Sequence, residues 1–304
     1  MEREKRKGAD IGAWAYALRL RTLPLSAAGT VMAAGLAGGA GAFRWSVFVL
    51  MFLTASLLQI LSNMANDYGD YVKGTDGAAR IGPQRALAAG RITPREFLRG
   101  MLAVCALTMA VGLALVLTAL SWRAVGYVLL FLVLGAGCIV AAVKYTVGRG
   151  AYGYRGLGEV FVFVFFGLVP VTGGLFLYTG RWDALSLLPA SAVGLLSAGV
   201  LHLNNIRDAE GDRVSGKHTL ASRMSLGGGK AFQCLLIGGA LVLLIWYMAA
   251  TYHTALWYLP AALCLLNLSL TLQVKRRIEA DKLLKVLSLS ALAISAVFAL
   301  AIGA

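Results

Sequence analysis

A run of about twenty apolar residues with no charge at its centre, repeated end after end along the chain, leaves this sequence few folding options. A helix needs roughly 20 such residues to cross a hydrocarbon core about 30 Å thick, and in lipid every backbone N–H and C=O must be satisfied within the segment. Nine runs meet that requirement, at about 23–42, 45–66, 98–120, 124–144, 157–178, 183–203, 231–250, 255–273 and 286–303, each bounded by charge or by Gly and Pro. The expected fold is all-α and integral to a membrane, a bundle of about nine transmembrane helices. Composition agrees, with 59% of the 304 residues hydrophobic and only 14% charged. No linker or compositional shift divides the chain, so residues 1–304 read as one transmembrane domain.

The formal net charge of +14 resembles a nucleic-acid footprint until the basic residues are sorted by side. With the N-terminus in the cytoplasm, the connections after the first, third, fifth and seventh spans carry only Arg44, Arg123 and Arg181. Every other Lys and Arg of the 28 falls on the opposite side. This is the positive-inside pattern of an odd number of spans, and no nucleic acid is needed to explain the charge. Segment 1–22 combines a basic stretch, Arg3 to Lys7, with an Ile11/Trp14/Leu18 stripe and reads as an amphipathic helix at the cytoplasmic surface. Cys105, Cys138, Cys234 and Cys264 lie in apolar runs without the spacing of a metal or redox pair and read as packing residues.

The outer links are a few residues long, whereas two cytoplasmic connections, about 67–97 and 204–230, are long and rich in Asp, Arg, Gly and Asn. The first opens with Asn63, Asn66, Asp67, Asp70, Lys73 and Asp76 running directly off an apolar span. Positions 63, 67 and 70 are i, i+4 and i+7, which share one face if the span continues as a helix. The second contains Asn204, Asn205, Arg207, Asp208, Asp212, Arg213 and Lys217, with 204, 208 and 212 again on one face. Asn63-x-x-x-Asp67 and Asp70-x-x-x-Gly74 parallel Asn204-x-x-x-Asp208 and Asp212-x-x-x-Gly216. The chain therefore reads as two related halves, with a site between them.

Carboxylates near lipid are expensive, about 3 kcal/mol each at the bilayer centre and less toward the interface, and crowding them adds repulsion. A hard divalent cation removes that penalty, and Mg²⁺ uses a few carboxylates while leaving positions for water and phosphate oxygens. Interleaved Lys73, Arg207, Arg213 and Lys217 complement a diphosphate. The spacing points to Mg²⁺ and a phosphorylated substrate. A transporter is disfavoured because the span centres are nearly free of ionisable residues and the clusters occupy one side; a purely structural protein would not need carboxylates at metal spacing.

These residues resemble the UbiA superfamily of intramembrane aromatic prenyltransferases. Asn66-Asp67-Tyr-Gly-Asp70 with Asp76 is similar to the first aspartate motif of that family, and Asp208-Ala-Glu-Gly-Asp212 to the second. The family's Tyr-x-x-x-Lys element has a counterpart in Tyr145-Thr-Val-Gly-Arg149, with Arg in place of Lys. Within the superfamily the chain resembles most the 1,4-dihydroxy-2-naphthoate polyprenyltransferases of menaquinone synthesis. The strings that carry this are Arg19-Leu-Arg21-Thr-Leu-Pro24, Gly82-Pro-Gln-Arg85 with Gly90-Arg-Ile-Thr93, Tyr152-Gly-Tyr154 through Glu159, and Asn204 through Leu220.

The resemblance implies Mg²⁺ on Asp67, Asp70, Asp76, Asp208 and Asp212, with Tyr145 and Arg149 completing the catalytic set. A polyprenyl diphosphate and 1,4-dihydroxy-2-naphthoate are the implied substrates, with Asn63, Asn66, Asn204, Asn205, Lys73, Arg207, Lys217, Arg21 and Glu159 as binding residues. The four asparagines either orient the aspartates or bind metal, and Glu159 either meets the acceptor or compensates a helix N-terminus. The implied reaction joins the prenyl group to the ring with loss of CO₂ and diphosphate, giving a demethylmenaquinol. Relatives acting on 4-hydroxybenzoate or homogentisate share the aspartate motifs, so those acceptors are the alternative. The implied setting is a bacterial or archaeal inner membrane, multi-pass and lipid-embedded, with the site facing the cytoplasm. His202, His218 and His253 pair with no other ligand at metal spacing and are left without a role.

Overall fold

A computed structural model describes residues 11–74, 85–120, 124–148, 150–251 and 258–303. Ten helices follow one another: α1 (Ile11–Leu18), α2 (Leu23–Gly39), α3 (Trp45–Val72), α4 (Pro94–Ala119), α5 (Val125–Lys144), α6 (Gly158–Thr179), α7 (Leu187–Val214), α8 (Leu226–Thr251), α9 (Tyr258–Gln273) and α10 (Ala280–Gly303). Seven helices are long and apolar enough to cross a membrane, while α2 and α9 are shorter apolar helices. Each of the nine runs read from the sequence falls on one of α2–α10, and the described residues contain no strand.

In one respect the two polar clusters differ from expectation: through Asp70 and Arg213 they are helix and not connection. α3 continues to Val72 and α7 to Val214, 28 residues each, so both clusters ride on the last turns of transmembrane helices. Both helices stop in the same way. Lys73 N–H bonds Gly69 C=O and Gly74 N–H bonds Tyr71 C=O; Ser215 and Gly216 repeat this with Gly211 and Arg213. Gly74 and Gly216 have φ of +70° and +72°, the left-handed helix stop that glycine adopts without strain. The repeat seen in the sequence is thus a repeat of geometry.

Helix polarity alternates along the chain. At the end remote from the clusters, Arg44 between α2 and α3 donates to the carbonyls of Ala119 at the end of α4 and of Leu177 and Tyr178 near the end of α6. One side chain thereby serves helix-terminal carbonyls of two neighbours.

Close helix approach depends on small residues. A Cβ on Gly167 of α6 would stand 2.5 Å from the Ala190 carbonyl of α7, and one on Gly194 of α7 would stand 2.6 Å from the Phe163 carbonyl. α6 itself widens to π geometry over Phe163–Gly173, around Pro170, which lacks the N–H an α-helix would use there. The Pro170 ring lies against Gly29 of α2. Lipid cannot supply a hydrophobic drive between helices, so such small-residue crossings carry much of the packing.

α1 does not simply lie along the surface with an Ile11/Trp14/Leu18 face. Ala13 and Ala17 are buried, Trp14 stacks on Phe97 and sits in the space left by Gly100 of α4, and Ile11 is exposed. The helix is docked on the bundle. Gly194→Ala places a methyl against backbone and is expected to lower unfolding free energy by about 1–3 kcal/mol. Gly38→Ala, whose Cβ meets nothing within 4 Å, should be neutral or slightly stabilising. Unfolding of the two variants in detergent measures the difference.

Candidate functional site

The first cluster is built around two buried carboxylates and the arginines that answer them. Asp67 is ion-paired with Arg19, and Arg85 Nη1 lies 3.2 Å from Asp67 Oδ1 and 2.8 Å from Asp70 Oδ2. The Tyr154 hydroxyl donates to Asp70 Oδ1 at 2.7 Å. Arg19 stands at the break between α1 and α2 with φ 51° and ψ 50°, the one positive-φ residue other than glycine among the described residues. That conformation costs on the order of 1–2 kcal/mol, and it sits where the side chain meets a buried charge. Lys73 lies 3.6 Å from the Tyr154 ring centroid. Burial pushes its ammonium below the ordinary lysine range, with Asp70 pulling the other way.

In the second cluster one guanidinium gathers three acceptors. Arg207 clasps Asp208 with Nε and Nη2 at 2.7 and 2.6 Å, reaches Asp281 at the start of α10 with Nη1 at 2.5 Å, and donates to Asn204 at 2.8 Å. Lys217 Nζ lies 3.9 Å from Asp212 and 5.5 Å from the Tyr154 ring centroid, so Tyr154 lies between the two clusters. Arg213 turns away to the carbonyls of Ser222 and Met224.

The asparagines are hydrogen-bonded within the protein. Asn63 donates to the Leu18 carbonyl and the Thr22 hydroxyl and accepts from Gln59, while Asn66 accepts from Thr146 at 3.1 Å. Asn205 turns from Asp208 to donate to Glu159 Oε1 at 3.0 Å, and His202 Nδ1 lies 3.1 Å from the same oxygen. His202 Nε2 meets the Gly229 carbonyl, which only accepts, so that nitrogen carries a proton. Glu159, in the first turn of α6, is buried in a His–Glu–Asn group joining α6, α7 and the start of α8. Tyr145 is also buried, and burial, then Glu159, Tyr152, Asp70 and Asp212, all hold its hydroxyl protonated.

A cavity of about 1260 Å³ runs from these clusters down between the helices. Asp70, Arg85, Arg207, Lys217 and Tyr145 line its head, and Phe131, Leu177 and Trp182 line its far end. Tyr152 stacks on Phe161 with centroids 3.7 Å apart, and Phe161 on Phe165, forming one aromatic wall. Met109 of α4 and Val140 of α5 line the cavity although 62% and 58% exposed, so it opens sideways between these helices. Asp67, Asp208 and Asp212 stand behind this lining, the first two held by arginines.

Asp76 and Arg149 lie outside the described residues, as do His253 and the side chain of Arg21. Arg213 apart, the other site residues singled out from the sequence gather at the cavity head or directly behind it. Sequence reading missed Arg19, Arg85 and Asp281 as site charges and left His202 without its partner. The available signal was charge balance: two buried aspartates on α3 require nearby cations. Among the described residues no three His, Cys, Asp or Glu side chains converge as a metal cage. Mg²⁺ ordinarily takes only one or two carboxylates beside water and phosphate, so Asp70 at the head of a cation-lined cavity, with Asp67, Asp208 and Asp212 directly behind it, fits a shared metal–phosphate site.

Residues 27–300 match the UbiA prenyltransferase family. The chain is 43% identical over 247 residues to a 1,4-dihydroxy-2-naphthoate octaprenyltransferase of Escherichia coli (strain K12), covering 81% of this chain and 79% of that protein. Its fold is similar to that of a UbiA homolog from Archaeoglobus fulgidus bound to Cd²⁺, with a TM-score of 0.68 and 13% identity over 95% of this chain and 98% of that one. The same homolog bound to DMAPP and Mg²⁺ superposes with a TM-score of 0.59 and 15% identity, covering 93% and 98%. Arg85→Leu leaves two buried carboxylates with less compensation and is expected to destabilise the protein by about 3–5 kcal/mol. Asp70→Asn in that background should restore part of the loss, as read by chemical unfolding in detergent.

Proposed function

The chain belongs to the UbiA prenyltransferase family, and we propose that it transfers a polyprenyl group from a polyprenyl diphosphate to 1,4-dihydroxy-2-naphthoate, releasing diphosphate and CO₂. The reading is carried by one observation: a cavity whose head is charged on both flanks and whose trunk is apolar, aromatic and open to the bilayer. An amphiphile with a doubly phosphorylated head and a long hydrocarbon tail matches that division. The acceptor follows from the similarity to the Escherichia coli octaprenyltransferase. The charge asymmetry across the spans supports an inner-membrane protein with this head in the cytoplasm.

Asp67 and Asp70 on one flank and Asp208 and Asp212 on the other would hold Mg²⁺ together with the diphosphate, with Asp76 as a further ligand. When bound, the metal neutralises the charge that grows on the leaving diphosphate. Arg85, Arg207, Lys217 and Lys73 add cations at the same end, and those whose contacts tighten as the C–O bond breaks lower the barrier. The Tyr145 hydroxyl stays protonated and can donate to a developing oxyanion. The allylic cation meets the Tyr152 and Phe161 faces, whose π-electrons stabilise positive charge, in a trunk that excludes water. The ring then attacks through its carboxyl-bearing carbon, and CO₂ departs with the electron pair returning to the ring.

Purified protein in detergent with a radiolabelled prenyl diphosphate should give lipid-extractable product with dihydroxynaphthoate and Mg²⁺, little with 4-hydroxybenzoate, and none with EDTA. Asp67→Ala and Asp208→Ala should each lower turnover by at least about 10²-fold, the loss typical of removing a group that stabilises transition-state charge. Folded protein that neither binds prenyl diphosphate nor turns over with any acceptor would overturn the reading.

A further inference from the structure

Below the charged head, the cavity carries buried polar atoms that the protein leaves unanswered. Gln59 Oε1, Ser197 Oγ and Ser288 Oγ come from α3, α7 and α10, and all line the cavity. The residues are 7, 0 and 6% exposed, and none of these three atoms has a hydrogen-bond partner among the described residues. A buried hydroxyl or carbonyl without a partner costs about 1–3 kcal/mol. Other cavity-lining hydroxyls show how easily that cost is avoided: Ser26 and Thr30 on α2 donate to the carbonyls of Leu23 and Ala27.

The polarity of the Gln59 amide is set by a chain of bonds that begins outside the cavity. The Leu18 carbonyl can only accept, so Asn63 turns its amide nitrogen toward it and toward Thr22. Asn63 Oδ1 then faces Gln59, which must answer with Nε2 at 3.1 Å. What remains for the cavity is the carbonyl oxygen. It accepts hydrogen bonds and repels anions, so it does not suit a carboxylate or diphosphate oxygen. It suits an O–H.

Ser197 and Ser288 lie beside the place where α7 meets α10, at Gly199 and Leu287, where a Cβ on the glycine would stand 3.2 Å from Leu287 Cδ2. At 1.5 Å per residue, Gln59 is about 12 Å below Asp67 along α3, Ser197 about 16 Å below Asp208 along α7, and Ser288 about 10 Å below Asp281 along α10. That depth is past the reach of a diphosphate held at the head, and a polar group there has no counterpart on a hydrocarbon tail.

We propose that Gln59 Oε1, Ser197 Oγ and Ser288 Oγ form the hydroxyl-recognition subsite for the aromatic acceptor, a planar hydroxyarene whose O–H groups complete their hydrogen bonding. The proposal rests on the prenyl-transfer reading for its substrate class. It gives the cavity two compartments, an apolar one along α4, α5 and α6 for the chain and this one for the ring.

The test uses full-length protein in lipid nanodiscs and the variants Ser197→Ala, Ser288→Ala and Gln59→Leu, with KM measured separately for dihydroxynaphthoate and for the prenyl diphosphate. Each serine variant should raise the acceptor KM about 3- to 10-fold, one neutral hydrogen bond, and leave the donor KM within twofold. The loss should shrink for a monohydroxy acceptor lacking the group that the deleted hydroxyl contacts. Without acceptor, Ser197→Ala and Ser288→Ala should melt no lower than the parent, because a hydroxyl with no partner is replaced by hydrogen. Unchanged acceptor KM in all three variants, donor and acceptor KM rising together, or lower melting of the acceptor-free serine variants would overturn the subsite. An inactive parent would instead overturn the prenyl-transfer reading and is distinguished by it.

Discussion

Carboxylates must be kept at the ends of lipid-spanning helices, and the construction of this end of the molecule follows from how they are compensated. Asp67 and Asp70 are buried on α3, where an unpaired charge would be costly. Their cations come from segments that would otherwise have no reason to be there: Arg19 from the break after α1, Arg85 from the stretch before α4. Docking of α1 through Trp14 and the left-handed turn at Arg19 are therefore parts of one device that delivers a guanidinium to Asp67. On the other flank Arg207 ties Asp208 to Asp281 and so fixes the first turn of α10 against the last turns of α7. The rim is held by charge and the trunk by close packing of small residues.

This division separates tasks. The trunk can be apolar, wide and open on one side because it does not have to organise the head. The head can be dense in charge because each of Asp67, Asp70, Asp208, Asp212 and Asp281 already meets a cation before any substrate arrives. A phosphorylated ligand, as proposed, would enter a place where cations are assembled and partly engaged, and its charge would compete with aspartates for them. The buried Glu159–His202–Asn205 group sits one layer behind and secures the start of α8 without reaching into the cavity.

Much of this was legible in the sequence, for physical reasons that name its limits. Apolar length announced each of α2 to α10, because lipid leaves the backbone one local solution. The i, i+4, i+7 spacing of Asn63, Asp67 and Asp70 announced a shared face, and Gly74 and Gly216 closed the parallel between the two stretches. Pairings between distant elements were not legible. Glu159 and His202 are 43 residues apart and Arg207 and Asp281 are 74 apart, and no periodicity links them. The continuation of α3 and α7 beyond the apolar runs was missed because polar residues were read as the end of helix, when burial against neighbouring segments lets the helix go on. The π geometry around Pro170 depends on Gly29 making room in another helix, which no local pattern records.

The sideways gap between α4 and α5, bordered by Met109 and Val140, changes what concentration means for this prenyltransferase. A long hydrocarbon reaching the trunk through the gap never passes through water, where each exposed methylene would cost about 0.8 kcal/mol. Its encounter rate is then set by its surface density in the bilayer and not by its amount per litre. Diluting the membrane with inert lipid at fixed total substrate should slow the enzyme, while diluting the aqueous phase should not. A prenylated product leaving by the same lateral route would remain dissolved in the phase where it was made.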